Sequence, residues 1–123
     1  MVPASDTIER HPSSNLISSA RVEGTAVFDG SGERLGTIQH FMVGKLDGKV
    51  RFAVLSFGGL FGLGQRYQPL PWEALSYDVD KGGYVVALSR EQLEGGPAYD
   101  QQGEPEFDDT YGRRISDYYG GLL

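Results

Sequence analysis

Residues 50–75, VRFAVLSFGGLFGLGQRYQPLPWEAL, decide the fold. The segment through Phe57 has strand composition, with Phe52, Val54 and Ser56 alternating against Ala53, Leu55 and Phe57. Both sets are mostly apolar. One is therefore expected to fill an interior, and the other to be covered by the chain's own tail or a second subunit. Gly58, Gly59, Gly62 and Gly64 then hinge a loop that carries Leu60, Phe61 and Leu63 with little side-chain mass around them. Arg66–Leu70 reads as the next strand, pausing at Pro69 and Pro71. Trp72-Glu73-Ala74-Leu75 fits one helical turn with Pro71 at its start, and Trp72 is expected to plug a core. Strand, glycine hairpin, strand and proline-framed tryptophan turn, in that order, predict a small β-barrel.

Outward from this stretch the same punctuation repeats. Gly24–Phe28 is the first strand, and Asp29-Gly30-Ser31-Gly32 supplies its turn. Arg34–Val43 is the second, where Gly36 and a change of apolar phase near Phe41 suggest a bulge. Asp47-Gly48 signals a two-residue hairpin into the third strand, Lys49–Phe57. Beyond the tryptophan turn, Ser76–Val79 and Tyr84–Leu88 flank an Asp80–Gly83 turn and complete six strands. The expected class is mainly β, a small six-stranded barrel with short helical turns.

Ser89 is placed to cap one such turn, Arg90–Leu93, which Gly95, Gly96 and Pro97 end. From Asp108 a helix is expected, with Tyr111, Ile115, Tyr118 and Tyr119 on one face and Gly120-Gly121 as its stop. A helix of about 11 residues is too short to stand alone in water, so it must dock on something. The chain thus divides into a polar lead-in (1–14), a barrel (15–97) and an acidic tail (98–123).

Composition narrows the function. The 123 residues include 18 glycines and no cysteine, which favours short strands joined by turns and removes disulfides, thiolate nucleophiles and cysteine metal sites. The net charge of −6 is uneven: residues 21–95 balance at −1 and residues 96–123 at −4. Neither part has the basic footprint that phosphate neutralisation needs, so direct nucleic-acid binding is not expected. The N-terminus lacks the basic and apolar regions of a secretory signal, and no apolar run approaches the ~20 residues of a membrane span. The expectation is a soluble, cytoplasmic protein.

Chemistry-bearing constellations fail one by one. The glycine-rich loop has Gln65-Arg66 where a phosphate loop needs Lys followed by Ser or Thr. Asp78-x-Asp80 has Ser89 where a calcium loop needs its last acidic ligand. Asp29-x-Ser31-x-Glu33 has Arg34 where such a loop needs glycine. Glu104, Glu106, Asp108 and Asp109 are explained by helix capping. His11 and His40 have no metal-ligating companions, and Ser56 lacks the leading glycine of a nucleophile elbow. No catalytic, metal or cofactor residue is assigned.

The chain resembles the PRC-barrel family from Asn15 to Pro97. The resemblance rests on Val27-Phe28-Asp29 with Gly32-Glu33, on Leu35-Gly36-Thr37-Ile38, and on Val50-Arg51-Phe52-Ala53-Val54. Its most distinctive part is Gly58-Gly59-Leu60-Phe61-Gly62-Leu63-Gly64 followed by Leu70-Pro71-Trp72-Glu73-Ala74-Leu75. The family is named for the cytoplasmic barrel of the photosynthetic reaction-centre H subunit and includes the C-terminal domain of the ribosome maturation factor RimM. It implies a six-stranded barrel used for protein docking, frequently homodimeric, with no catalytic residues and no cofactor. Neither the H subunit's membrane helix nor RimM's N-terminal ribosome-binding domain has a counterpart in this sequence, so a small stand-alone bacterial member is expected. Its partner is expected to be itself or another protein, met through Leu60, Phe61, Leu63, Tyr111, Ile115, Tyr118 and Tyr119. The alternatives are an RNA-processing or ribosome-associated adaptor of the RimM kind, and a small-ligand-binding barrel.

Overall fold

Six short strands with alternating apolar residues must share one sheet to satisfy their backbones, and they do. The computed structural model describes residues 15–58 and 65–123. A short helix α1 (Ser19–Val22) precedes β1 (Ala26–Phe28), β2 (Arg34–Val43), β3 (Val50–Gly58) and β4 (Gln65–Pro71). A 3-10 turn, Trp72–Ala74, leads to β5 (Leu75–Asp78), β6 (Gly83–Val86), α2 (Arg90–Glu94) and α3 (Asp109–Gly120). The sheet order is β4-β3-β2-β1-β6-β5. Strands β1 to β4 form an antiparallel meander, and the β5–β6 hairpin returns to pair β6 parallel to β1, Val27 opposite Tyr84. The edge strands β4 and β5 are joined by only three residues. The sheet therefore has to curl until its two ends meet at the Trp72 corner.

The turns follow side-chain chemistry. Asp29 Oδ1 accepts from the Ser31 amide (2.9 Å), the Ser31 hydroxyl (2.7 Å) and the Glu33 amide (2.9 Å), while Gly32 takes φ +93°. The Ser31 hydroxyl, first among these, holds the Asp29 carboxyl below its ordinary range. The β2–β3 connection departs from expectation. It is no two-residue turn, because Val43 already pairs with Val50 and residues 44–49 form the loop. Asp47 Oδ1 accepts from the Lys49 amide at 3.0 Å, Gly48 takes φ +72°, and a Cβ at Gly44 would collide with the Asp47 carboxylate. The side chain of Asp47 thus spends itself inside a longer loop. The bulge expected in β2 is found as two register shifts flanking Phe41, at Ile38/His40 and Met42/Val43.

Both faces of β3 are buried, and the chain itself supplies the cover. Leu55 and Phe57 join Val27, Leu35, Ile38, Leu70 and Val86 in the core. On the opposite face the Phe52 ring lies 6.2 Å from that of Phe107, which meets Tyr111 edge-on at 5.0 Å. The tail therefore covers the apolar outer face of β3. Asp108 caps α3 by accepting from the Tyr111 amide at 2.9 Å. The buried stripe of that helix, Tyr111, Ile115 and Tyr119, belongs to the same core as the strands.

Trp72 packs against the core and keeps one side partly exposed. It sits half-buried at the corner, edge-on to Phe41 (5.5 Å) and to Tyr84 (5.6 Å), because the turn joining two edge strands must keep one side in solvent. Ile115, by contrast, is wholly buried. Ile115→Ala should cost about 2–5 kcal/mol, like a leucine truncated inside the barrel. Urea unfolding should still show one transition; a separate early transition for the tail would refute a shared core.

Candidate interaction surfaces

The β4 edge is the first place where another chain could pair. Tyr67 exchanges both backbone hydrogen bonds with Tyr99, at 2.8 and 2.9 Å, so the odd-numbered residues of β4 face outward. Pro69 and Pro71 share that parity, and neither has an amide hydrogen to offer. Phe52, beside Gly112 of α3, and Gln68, hydrogen-bonded to Tyr119, lie on opposite faces of the β3–β4 pair. The helix thus straddles the β4 edge. Prolines, an isolated bridge and a helix together close it to strand addition.

The tyrosine-rich end of α3 is held by a polar clasp that sequence patterning did not reveal. Ser89 and Gln92 form a reciprocal capping box at the start of α2. At its other end the last carbonyls need donors. The Tyr118 hydroxyl donates to Gln92 O at 2.7 Å, and the Tyr119 hydroxyl donates to Leu93 O at 3.3 Å. Tyr119 Oη also accepts from Gln68 Nε2 at 3.1 Å, inside the core. Gly95 and Gly96 make the approach possible: a Cβ at Gly95 would come within 2.5 Å of the Tyr118 hydroxyl, and one at Gly96 would collide with that of Tyr119. Gly95 has ordinary helical backbone angles, so space and not φ requires glycine there. Gln68 Oε1 and the hydroxyls of Tyr99 and Tyr111 are buried with no hydrogen-bond partner among the described residues.

Tyr111, Ile115 and Tyr119 are buried in the chain's own core, and only Tyr118 of the stripe is partly accessible. They are not free to clasp a partner while α3 is docked. Leu60, Phe61 and Leu63, with Gly59, Gly62 and Gly64, lie outside the described residues. Gly58 ends β3 opposite Gln65, and Pro71 is buried opposite Phe52.

Two surface features were not singled out from sequence. Gln39, His40, Tyr67, Tyr99 and Glu104 help to line a polar hollow of about 210 Å³. A larger trough of about 460 Å³ runs between the β2–β3 hairpin and the start of α3. Met42, Val43, Phe52 and Phe107 give it apolar lining, Lys45 and Arg51 stand on one side, and Asp108 and Asp109 on the other. Next to it Leu46 is completely exposed and Val43 is half-exposed. Their signal in the sequence was a lone leucine in a charged turn, which patterning assigns to solvent. Among the described residues no three His, Cys, Asp or Glu side chains gather to hold a metal, and no helix is long and apolar enough to cross a membrane.

A curled six-stranded sheet whose two edge strands are joined at a tryptophan corner, covered by its own tail, has the architecture of a small barrel. The PRC-barrel domain model matches residues 14–104, about three quarters of the chain, and the chain belongs to that family. No curated protein matches the sequence. Among solved structures it is similar to a 16S ribosomal RNA processing protein, RimM, from Pseudomonas aeruginosa. The identity is 24%, the TM-score 0.40, and the match covers 65% of this chain and 49% of that one. The chain spans about half the length of that protein, and a likeness at this level says nothing of activity or partners.

The clasp and the buried tyrosines each generate a prediction. Gly96→Ala should displace the Tyr119 hydroxyl and destabilise the fold by about 1–3 kcal/mol, the cost of orphaning buried hydrogen-bonding groups. An unchanged melting temperature would show that the clasp contributes nothing. The second concerns alkaline pH. Burial, before any other cause, raises the Tyr84, Tyr99, Tyr111 and Tyr119 hydroxyls above their ordinary value of 10.0. The folded chain keeps these protons where the unfolded chain releases them, so this contribution is complete below about pH 10 and falls as pH rises further. Phenolate absorbance of the buried tyrosines should therefore appear together with unfolding. Full titration near pH 10 with the fold intact would contradict it.

Proposed function

We propose that this PRC-barrel protein is a non-enzymatic docking module that assembles with a second copy of itself. One observation carries the reading: large apolar side chains remain outside after the tail has covered β3. Leu46 is completely exposed, with Val43 beside it and the apolar lining of the trough adjoining both. Exposed apolar clusters at a trough are a common mark of protein–protein contact. Leu60, Phe61 and Leu63 of the glycine-rich loop, grouped in sequence, supply a second apolar cluster.

Light scattering after size exclusion tests the reading across a wide concentration range. A concentration-dependent dimer is the expected result. A chain that stays monomeric throughout would remove self-assembly. Leu60→Asp combined with Phe61→Asp should weaken the dimer if the loop contributes; an unchanged dissociation constant would remove the loop from the interface.

A further inference from the structure

The hairpin between β2 and β3 has the build of a fixed projection. Gly44 N donates to Lys49 O at 2.8 Å, Gly48 N donates to Gly44 O at 2.9 Å, and Arg51 closes on Asp47 at 2.6 Å. The backbone amide of Lys49, then the Arg51 guanidinium, hold the Asp47 carboxyl below its ordinary range. Leu46 therefore stands out from an ordered loop, with relative exposure of 102%. A side chain presented in this way meets a partner without first losing the loop's freedom.

The trough that could receive it lies on the same face. A second hollow, lined by Gly44, Lys45, Leu46, Asp47 and Arg51, shares Gly44, Lys45 and Arg51 with the trough. Projection and receptor are thus neighbours on one continuous surface. That adjacency is what a two-fold dimer needs, because an isologous interface must present both halves of each contact on the same patch. A head-to-tail contact would need them on different sides.

Charge points the same way. Lys45 and Lys49 flank Leu46 and have no ion pair among the described residues. Arg51 is already taken by Asp47. Across the trough, Asp108 and Asp109 form the acidic rim, both exposed and neither in an ion pair among the described residues. A projection carrying two cations outside any ion pair among the described residues suits a rim with two carboxylates likewise outside one, Asp108 keeping its cap on the Tyr111 amide. The chain supplies both.

We propose that two copies dock reciprocally on this face, each seating Leu46 on the apolar lining of the other's trough, Met42, Val43, Phe52 and Phe107. Lys45 and Lys49 of each copy face Asp108 and Asp109 of the other. The proposal rests on the self-assembly reading and names its surface. It places the interface at the hairpin end of β3, roughly 26 Å along the strand from Gly58 at about 3.3 Å per residue.

Sedimentation velocity on the full chain tests it, with Leu46→Asp, Lys45→Glu, Asp109→Lys and the double variant Lys45→Glu/Asp109→Lys. Leu46→Asp should raise the dimer dissociation constant at least tenfold while leaving the melting temperature of the monomer unchanged, since the side chain touches only solvent there. Each single charge reversal should weaken the dimer, and the double variant should recover it, because position 45 of each copy faces position 109 of the other and the exchanged charges attract again, with Lys49 and Asp108 left as they are. A wild-type dimer unaffected by Leu46→Asp would overturn this surface and leave self-assembly standing. Failure of the double variant to recover what the single reversals lose would overturn the reciprocal seating. A wild-type chain that is monomeric throughout would overturn both readings.

Discussion

The tail's cover over the β3–β4 end of the sheet is the interaction on which the rest depends. A six-stranded sheet of short strands has two edges and too little area to hide both faces of its central strand by curling alone. Here β3 is apolar on both faces, and β4, its neighbour, is an edge. Without cover, that combination would expose an aggregation-prone strip. Phe107 and Tyr111 over Phe52, Tyr99 beside Tyr67, and α3 across the edge remove it together. The acidic composition of residues 96–123 hides how much structural burden they carry, because the charges face water while three apolar or aromatic side chains turn inward.

Tyrosine suits this seam for a physical reason. Its ring adds to an apolar core, while its hydroxyl can reach a carbonyl that the core would otherwise leave unpaired. Tyr118 and Tyr119 reach consecutive carbonyls, Gln92 O and Leu93 O, and Tyr119 also serves the fully buried Gln68. Phenylalanine at these positions would keep the packing but would take the Tyr118 hydroxyl from Gln92 O and the Tyr119 hydroxyl from the Gln68 amide, while Leu93 O would keep the Gly96 amide. The same seam contains polar atoms that find no partner among the described residues, Gln68 Oε1 and the Tyr111 hydroxyl.

Much of this architecture was legible because it is written locally. The limits of β2 at Arg34 and Val43, the cap at Ser89 and the cap at Asp108 were read from neighbouring residues, and each is set by contacts within a few positions. Features set over distance were not legible. The Gly95-Gly96 pair reads as a helix stop, yet its reason is the approach of Tyr118 and Tyr119, more than twenty residues on. The tyrosine stripe was visible as a face, but periodicity cannot say what a face meets, so a partner was as plausible as the barrel itself. The Asp47-Gly48 pair misled for a related reason: its dipeptide signal is common to short hairpins, while the Asp47 carboxylate, Gly44 and Arg51 jointly favour a longer loop. Leu46 and the trough escaped because a single apolar residue in a charged turn has no pattern to read.

The geometry of β3 separates two surfaces that the sequence would merge into one sticky barrel. One end of the strand carries the ordered hairpin with Leu46, and the other end leads at Gly58 into the glycine-rich loop. Nine residues of strand keep them apart, and the two outer faces between them are already occupied by the core and the tail. If the hairpin end is used by a second copy, the two-fold axis lies beside the hairpin and the Gly58 ends of the two β3 strands point to separate regions of the dimer. Self-assembly at one end would then leave the other end free.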